Sequence, residues 1–345
     1  MKNYSKKVIV LAVTASLLIL SVGCGNKEKS GTNTAQTQEQ PKQIELRLGT
    51  VGTDDSHFGA GANKFKEEVE KRTNGQIKVS VFANSALGGE RELMEGEMVG
   101  TVDMSVGTSG PLGTFYNEMN VFDLPYLFNS REEAFAVLDS PIGTGLAERF
   151  EKATGVKILG YMEGGFRAEL NNVRPIKTVA DMKNMKYRVV ESAVQIDIFK
   201  AFGAAPTPMA FGEVYTSLKQ GVIDGCVVPY PGLYTSKLHE VTKYNTYLQD
   251  MYTVVPITIA KKKFDSLTAE QQKIIVESAK IAVTYQREQC EIMRAGIIDK
   301  FKAAGIIVTI PADMSSFKNA TKPVFDKWAE KVGVDLVNSI VNFKK

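Results

Sequence analysis

Arg188 is the residue whose type and setting most directly suggest chemistry. It stands in MKYRVVES, Met185 to Ser192. There the alternation of a strand turns Tyr187 and Val189 to one side and Lys186, Arg188 and Val190 to the other. A guanidinium is a rigid planar fork that matches a carboxylate bidentately. At a solvated edge it would make only a weak surface ion pair. Buried, it would need an anion. The local pattern leaves both readings open.

Reaction chemistry finds little support. The histidines are His57 and His239, and neither sits in a metal-ligand or nucleophile pattern. The glycine-rich GTSGPLG, Gly107 to Gly113, follows a strand. It lacks both the lysine of a phosphate loop and the spacing of a dinucleotide turn. Carboxylates are numerous, but no pair is singled out by spacing, so solvated surface is their reading. The expectation is a binding protein and not an enzyme, with no cofactor and no metal.

The elements that would position Arg188 alternate along the chain. IELRLGTV reads as a strand, and DDSHFGAGANKFKEEVEKRTNG as a helix with Phe58, Ala62, Phe65 and Val69 on one face and Gly75 as its stop. QIKVSVF, GERELMEGEMVG and VDMSVG continue as strand, helix and strand, which implies an α/β lobe with a largely parallel sheet. The second half repeats the plan with VKILGYME, MKYRVVES, AVQIDIFKAFG, GEVYTSLKQG and IDGCVV. Gly100 to Val106 (GTVDMSV) aligns with Gly221 to Val227 (GVIDGCV), a weak internal repeat that fits two lobes built alike. SLTAEQQKIIVESAKIAVTYQREQCEIM opens on a capping box, Thr268 with Gln271, and is apolar over more than half its circumference. A helix buried on most sides suits an element packed across two lobes. Facing α/β lobes form a cleft at the carboxyl ends of their strands, which Arg188 would face.

Lys2, Lys6 and Lys7 precede an apolar run from Val8 to Leu20, small residues and Cys24, the pattern of an export signal over residues 1–23. The run is shorter than the roughly 20 residues of a membrane span. It also resembles a bacterial lipoprotein signal, which implies lipidation of Cys24, although Ser21 stands where leucine is usual. Residues 24–43 carry no large apolar side chain and read as a flexible tether. Removal of the three lysines takes the formal charge from +3 to zero, which implies no nucleic-acid partner. Cys226 and Cys290 are the cysteines beyond Cys24, too few for a disulfide scaffold; they could pair in an oxidising compartment, but buried free thiols are the expectation.

LGGERELMEGEMVGTVDM, FDLPYLF, GFRAELNNVRPI, DMKNMKYRV, GAAPTPMAFGEVYTSLKQGVIDG and FDSLTAEQQKII occur in that order. Together they resemble the landmarks of the extracytoplasmic solute-binding proteins of tripartite ATP-independent periplasmic (TRAP) transporters, the DctP family, over about residues 44 to 330. The resemblance implies a two-lobed α/β clamshell of the periplasmic-binding-protein kind, closing on a small organic acid and delivering it to TRAP membrane permease subunits. Lobe I would comprise 44–165 with about 254–293, and lobe II 166–253 with about 294–345. By the same resemblance Arg188 holds the ligand carboxylate, Arg167 in the G-x-R turn assists, Phe211 packs on the ligand and Thr108 faces it. Val228 stands where many members carry asparagine, a change that removes a polar contact.

With Phe166, Tyr230 and Tyr234, the residues Val228 and Phe211 suggest an apolar and aromatic cleft. A keto, hydroxy or aromatic monocarboxylate then competes with sugar acids and four-carbon dicarboxylates. The expected protein is a monomer, tethered outside the cytoplasm by its N-terminal lipid. The alternative is a receptor module that binds an organic acid and signals through a membrane partner.

Overall fold

The computed structural model describes residues 43–343; Cys24, the signal segment and the tether up to residue 42 lie outside the described residues. The chain opens with β1 (Ile44–Thr50), α1 (His57–Arg72), β2 (Ile77–Phe82), α2 (Glu90–Val99) and β3 (Met104–Val106). Period-2 patterning buries Leu46 and Leu48 completely, and β1 lies between β2 and β3, parallel to both. Helix α1 starts where the Ser56 hydroxyl accepts the Gly59 N–H at 3.2 Å. It buries the Phe58, Ala62, Phe65 and Val69 face against the sheet.

After α3 (Arg131–Leu138) and α4 (Pro141–Thr154) comes β4 (Val156–Asn171), followed by β5 (Lys186–Val189), α5 (Ala193–Ala201), β6 (Ala205–Pro208), α6 (Val214–Lys219) and β7 (Gly225–Pro229). Then β8 (Tyr244–Thr246), β9 (Tyr252–Ala260), α7 (Lys261–Asp265) and α8 (Ala269–Arg294) lead to α9 (Ile297–Ala303), β10 (Ile307–Thr309), α10 (Ser315–Val332) and α11 (Val334–Val341). The strands join in the order β2-β1-β3-β9-β4-β7-β5-β6, with β8 on β4 and β10 on β8. Alternating strands and helices suggest parallel pairing, but the sheet is mixed. β9 is antiparallel to β3 and to β4, and β4 is antiparallel to β7. These two strands carry the chain between the two halves of the sheet: β4 pairs with β9 up to Phe166 and with β7 from Arg167 onward.

The GTVDMSV and GVIDGCV segments share their geometry. Gly100 and Gly221 both take left-handed backbone, at φ 84 and 71. Asp103 then accepts the Arg47 N–H of the neighbouring parallel strand at 2.8 Å, and Asp224 accepts the Lys186 N–H at 2.7 Å. Each aspartate closes the first open rung of a parallel pair. Helix α8 has the expected capping box, Thr268 with Gln271. It differs in burial: Ile275, Ala279, Ala282, Val283, Gln286 and Cys290 form one buried stripe along α1 and β4, while Ile292 is 63% exposed. Apolar residues off the stripe cover neighbouring surface and are not enclosed. Cys226 and Cys290 are free buried thiols. Helix α10 packs Phe317 and Trp328 into the core shared with Phe199 and Phe202 of α5 and its cap. No helix among the described residues is long and apolar enough to cross a membrane.

Candidate ligand-binding site

Strands β4, β7 and β5 lie side by side and carry the two arginines. Arg167 pairs across to Pro229, and Arg188 to Cys226, so the arginines flank β7 near the carboxyl ends of β5 and β7. Both are buried, Arg188 at 3% exposure and Arg167 at 2%, which removes the solvated-edge reading. Among the described residues neither forms an ion pair, whereas the partly buried Arg131 does, with Glu163 at 2.7 Å.

Hydrogen bonds fix the two side chains without using all their donors. Arg188 Nε donates to the Met209 carbonyl at 2.9 Å. Arg167 Nε donates to Thr253 Oγ1 at 2.6 Å, and its Nη1 to Gln195 Oε1 at 2.8 Å. Gln195 in turn donates Nε2 to Asp123 at 3.1 Å, so a buried aspartate orients Arg167 through an amide. Both Nη groups of Arg188 and Nη2 of Arg167 keep no partner among the described residues. They are strong donors for a planar anion.

These groups floor an inner pocket of about 40 Å³, also lined by Thr108, Val190, Phe211, Val228 and Glu90. An outer cleft of about 550 Å³ adjoins it, with Val51, His57, Phe58, Phe211 and Gly232 lining both. The Phe211 ring centre lies 5.8 Å from the Arg188 guanidinium carbon, within cation–π range. The inner pocket has the space of about three waters, enough for a carboxylate and its first carbon.

Burial lowers the Arg188 guanidinium to about 10, against the opposing pull of Glu90, and it stays protonated at neutral pH. Arg167 is lowered by burial too, opposed by Asp123 and Asp250. Glu90 begins α2, and its Oε1 accepts the Thr108 N–H at 2.7 Å. Burial raises its carboxyl above the usual range, and the Thr108 N–H bond and the two guanidiniums oppose the rise. The buried Thr108 hydroxyl has no partner among the described residues.

Comparison with known proteins places this site in a family. Residues 48–331 match the model of DctP, bacterial extracellular solute-binding protein, family 7. The chain belongs to that family. A DctP-family relative, the 2,3-diketo-L-gulonate-binding periplasmic protein of Escherichia coli (strain K12), is 36% identical over 300 residues, 86% of this chain and 90% of the relative. The C4-dicarboxylate-binding periplasmic protein of Rhodobacter capsulatus is 31% identical over 307 residues, 86% of this chain and 90% of the relative. Among solved structures, a TRAP periplasmic solute-binding protein of Polaromonas sp. JS666, bound to D-erythronate, superposes with a TM-score of 0.85 at 35% identity, covering 88% of this chain and 100% of its own. A TRAP solute-binding protein of Sulfitobacter sp. NAS-14.1 with bound β-D-galacturonate gives 0.83 at 32% identity, covering 87% of this chain and 100% of its own. The protein is therefore a DctP-type solute-binding protein with the α/β architecture of the TRAP-associated structures.

Within this DctP-type fold, Arg188, Arg167, Phe211, Thr108 and Val228 line one pocket. Phe166, Tyr230 and Tyr234 do not join them. Phe166 precedes Arg167 on β4 and so points to the opposite side, where with Tyr230 it lines a separate cavity of about 240 Å³ beside Arg131 and Arg294. Tyr234 is 46% exposed and stacks on His239 at 4.6 Å. The sequence reading omitted Glu90 and His57. Glu90 sits in an acid-rich helix start that looks like a solvated face, and a lone histidine behind an N-cap carries no ligand pattern.

Proposed function

We propose that this protein captures a small organic-acid anion outside the cytoplasm and hands it to a TRAP-type membrane permease. The observation that carries the reading is a pair of buried guanidiniums with uncommitted Nη groups at the floor of one pocket. Arg188 is the main carboxylate anchor, Arg167 its helper, and Phe211, Thr108 and Val228 the surrounding wall. Glu90 supplies a carboxyl group to the same pocket as the two guanidiniums. A second carboxylate would meet Glu90. That arrangement favours a monocarboxylate, in keeping with the D-erythronate held by the Polaromonas relative.

The lobes are residues 44–165 with about 254–293, and 166–253 with about 294–345. The repeated aspartate rungs and the crossing strands β4 and β9 support that division. Cys24 is the lipidated N-terminus of a monomer. Calorimetric titration with an organic-acid panel tests the reading: a native protein that binds no carboxylate, or binds one unchanged after Arg188→Ala, refutes it.

A further inference from the structure

We infer that His57 recognises a hydroxyl or keto oxygen on the carbon chain beside the ligand carboxylate, and that residue 232 is a glycine so that the imidazole can be held there. The inference rests on the proposed anchoring of that carboxylate by Arg188. His57 is 1% exposed, and among the described residues neither Nδ1 nor Nε2 has a hydrogen-bond partner. Buried ring nitrogens are ordinarily satisfied, so two orphaned ones at a cavity wall point to an occupant. The ring lies where the inner pocket meets the outer cleft, on the wall of both. A carboxylate on the arginines therefore sends the next atoms of its chain past His57.

The ring is fixed in place. His57 is the first residue of α1, behind the Ser56 cap, and packs on Phe58 at 4.0 Å between ring centres. From the far wall, Gly232 approaches so closely that a Cβ there would stand 2.9 Å from Cε1 and 3.3 Å from Nδ1. Gly232 is not among the glycines with positive φ, so the close approach and not backbone strain accounts for it. Burial also lowers the imidazole to about 3 and keeps it neutral. A neutral imidazole offers one donor and one acceptor. A hydroxyl can meet either nitrogen, accepting from the N–H or donating to the bare nitrogen, and a keto oxygen accepts from the N–H, while a second carboxylate finds no cation there. The ligand class is thus a hydroxylated or keto monocarboxylate.

Calorimetry of the purified protein with D-erythronate, 2-oxobutyrate, butyrate and succinate tests this. The native protein should bind D-erythronate or 2-oxobutyrate at least ~10-fold more tightly than butyrate, the value of one buried hydrogen bond. His57→Phe should erase that preference and leave butyrate within about 3-fold, whereas His57→Gln should retain part of it. Gly232→Ala should weaken all acids in the native background and cost little beside His57→Ala, a coupling that independent structural damage would not give. An unchanged preference in His57→Phe, a native preference for succinate, or equal costs of Gly232→Ala in both backgrounds overturns the inference. If Arg188→Ala still abolishes binding in those cases, the carboxylate reading stands alone. Failure of the native protein to bind any of the four overturns both.

Discussion

Replacing Arg188 with alanine separates a binding arginine from a structural one, because the geometry sets two effects of different size. Arg188 lines the pocket and its two Nη groups are uncommitted, so on the proposed reading a carboxylate gains two charge-assisted hydrogen bonds there, each worth roughly 1.5–3 kcal/mol. Their loss should weaken binding by about 3 kcal/mol or more, at least ~100-fold. The fold loses the bond from Nε to the Met209 carbonyl, about 1 kcal/mol, and the cation–π contact with Phe211, about 0.5–1 kcal/mol, and the removal of a buried unpaired charge offsets part of that. Melting of the ligand-free protein should therefore shift by no more than about 3 °C. At 100 times the dissociation constant, ligand stabilises the native protein by about 2.7 kcal/mol. The variant at the same concentration should show no such shift. Arg188→Lys keeps the charge and loses the fork, and should resemble alanine more than the native residue. Near-native affinity in Arg188→Ala, or a large fall in apo stability, would refute the reasoning.

Further tests concern acids, bases and the N-terminus. Glu97 is buried against the Thr258 and Ser105 hydroxyls, and burial raises its carboxyl to about 8. The folded state then holds a proton the unfolded state has lost, so stability falls as pH rises from about 4.5 to 8. Glu97→Gln should raise the melting temperature at pH 7, by up to about 3 kcal/mol in stability, and flatten that slope; an unchanged profile would count against it. His57 runs the other way. Its lowered value means the unfolded chain takes up a proton first, so stability should decline as pH falls from about 6.5 toward 3, and His57→Phe should remove that component of the acid limb. Glu90→Gln replaces the carboxyl group that lines the pocket and should improve succinate relative to butyrate by ~10-fold in competition titrations; no change would remove Glu90 from the discrimination. Cys24→Ala should give unlipidated protein by intact mass, and an unchanged mass with membrane retention would argue against lipidation.

Local devices were the legible part of this chain. The Thr268 and Gln271 box, the Ser56 start of α1 and the two glycine–aspartate turns are each written within a few consecutive residues. Strand direction was not, because whether β9 runs with or against β3 depends on the route of a chain about 150 residues long between them. The site divides the same way. Arg188 and Phe211 lie in motifs with fixed local spacing, whereas Phe166, Tyr230 and Tyr234 seemed to belong with them through nearness in sequence alone. Alternation on β4 sends Phe166 away from the pocket, and nothing local to His57 reveals that Gly232 closes over it.

The small size of the inner pocket bears on handedness. A space of about 40 Å³ admits the carboxylate and little more than one substituted carbon. On the proposed placement, with the carboxylate on Arg188 and Arg167, the second substituent at His57 and the chain toward the cleft, the fourth position of that carbon would be left for hydrogen, and Val190 and Val228 are the apolar residues lining that pocket. Mirror-image acids would exchange the hydrogen with the hydroxyl and set a polar group on that apolar wall. Such a misplaced hydroxyl loses a hydrogen bond and buries an unsatisfied one, together about 2–4 kcal/mol. The two enantiomers of a single hydroxy acid should therefore differ in affinity by ~30-fold or more, and a pocket of that kind would sort mirror-image acids before handing them on.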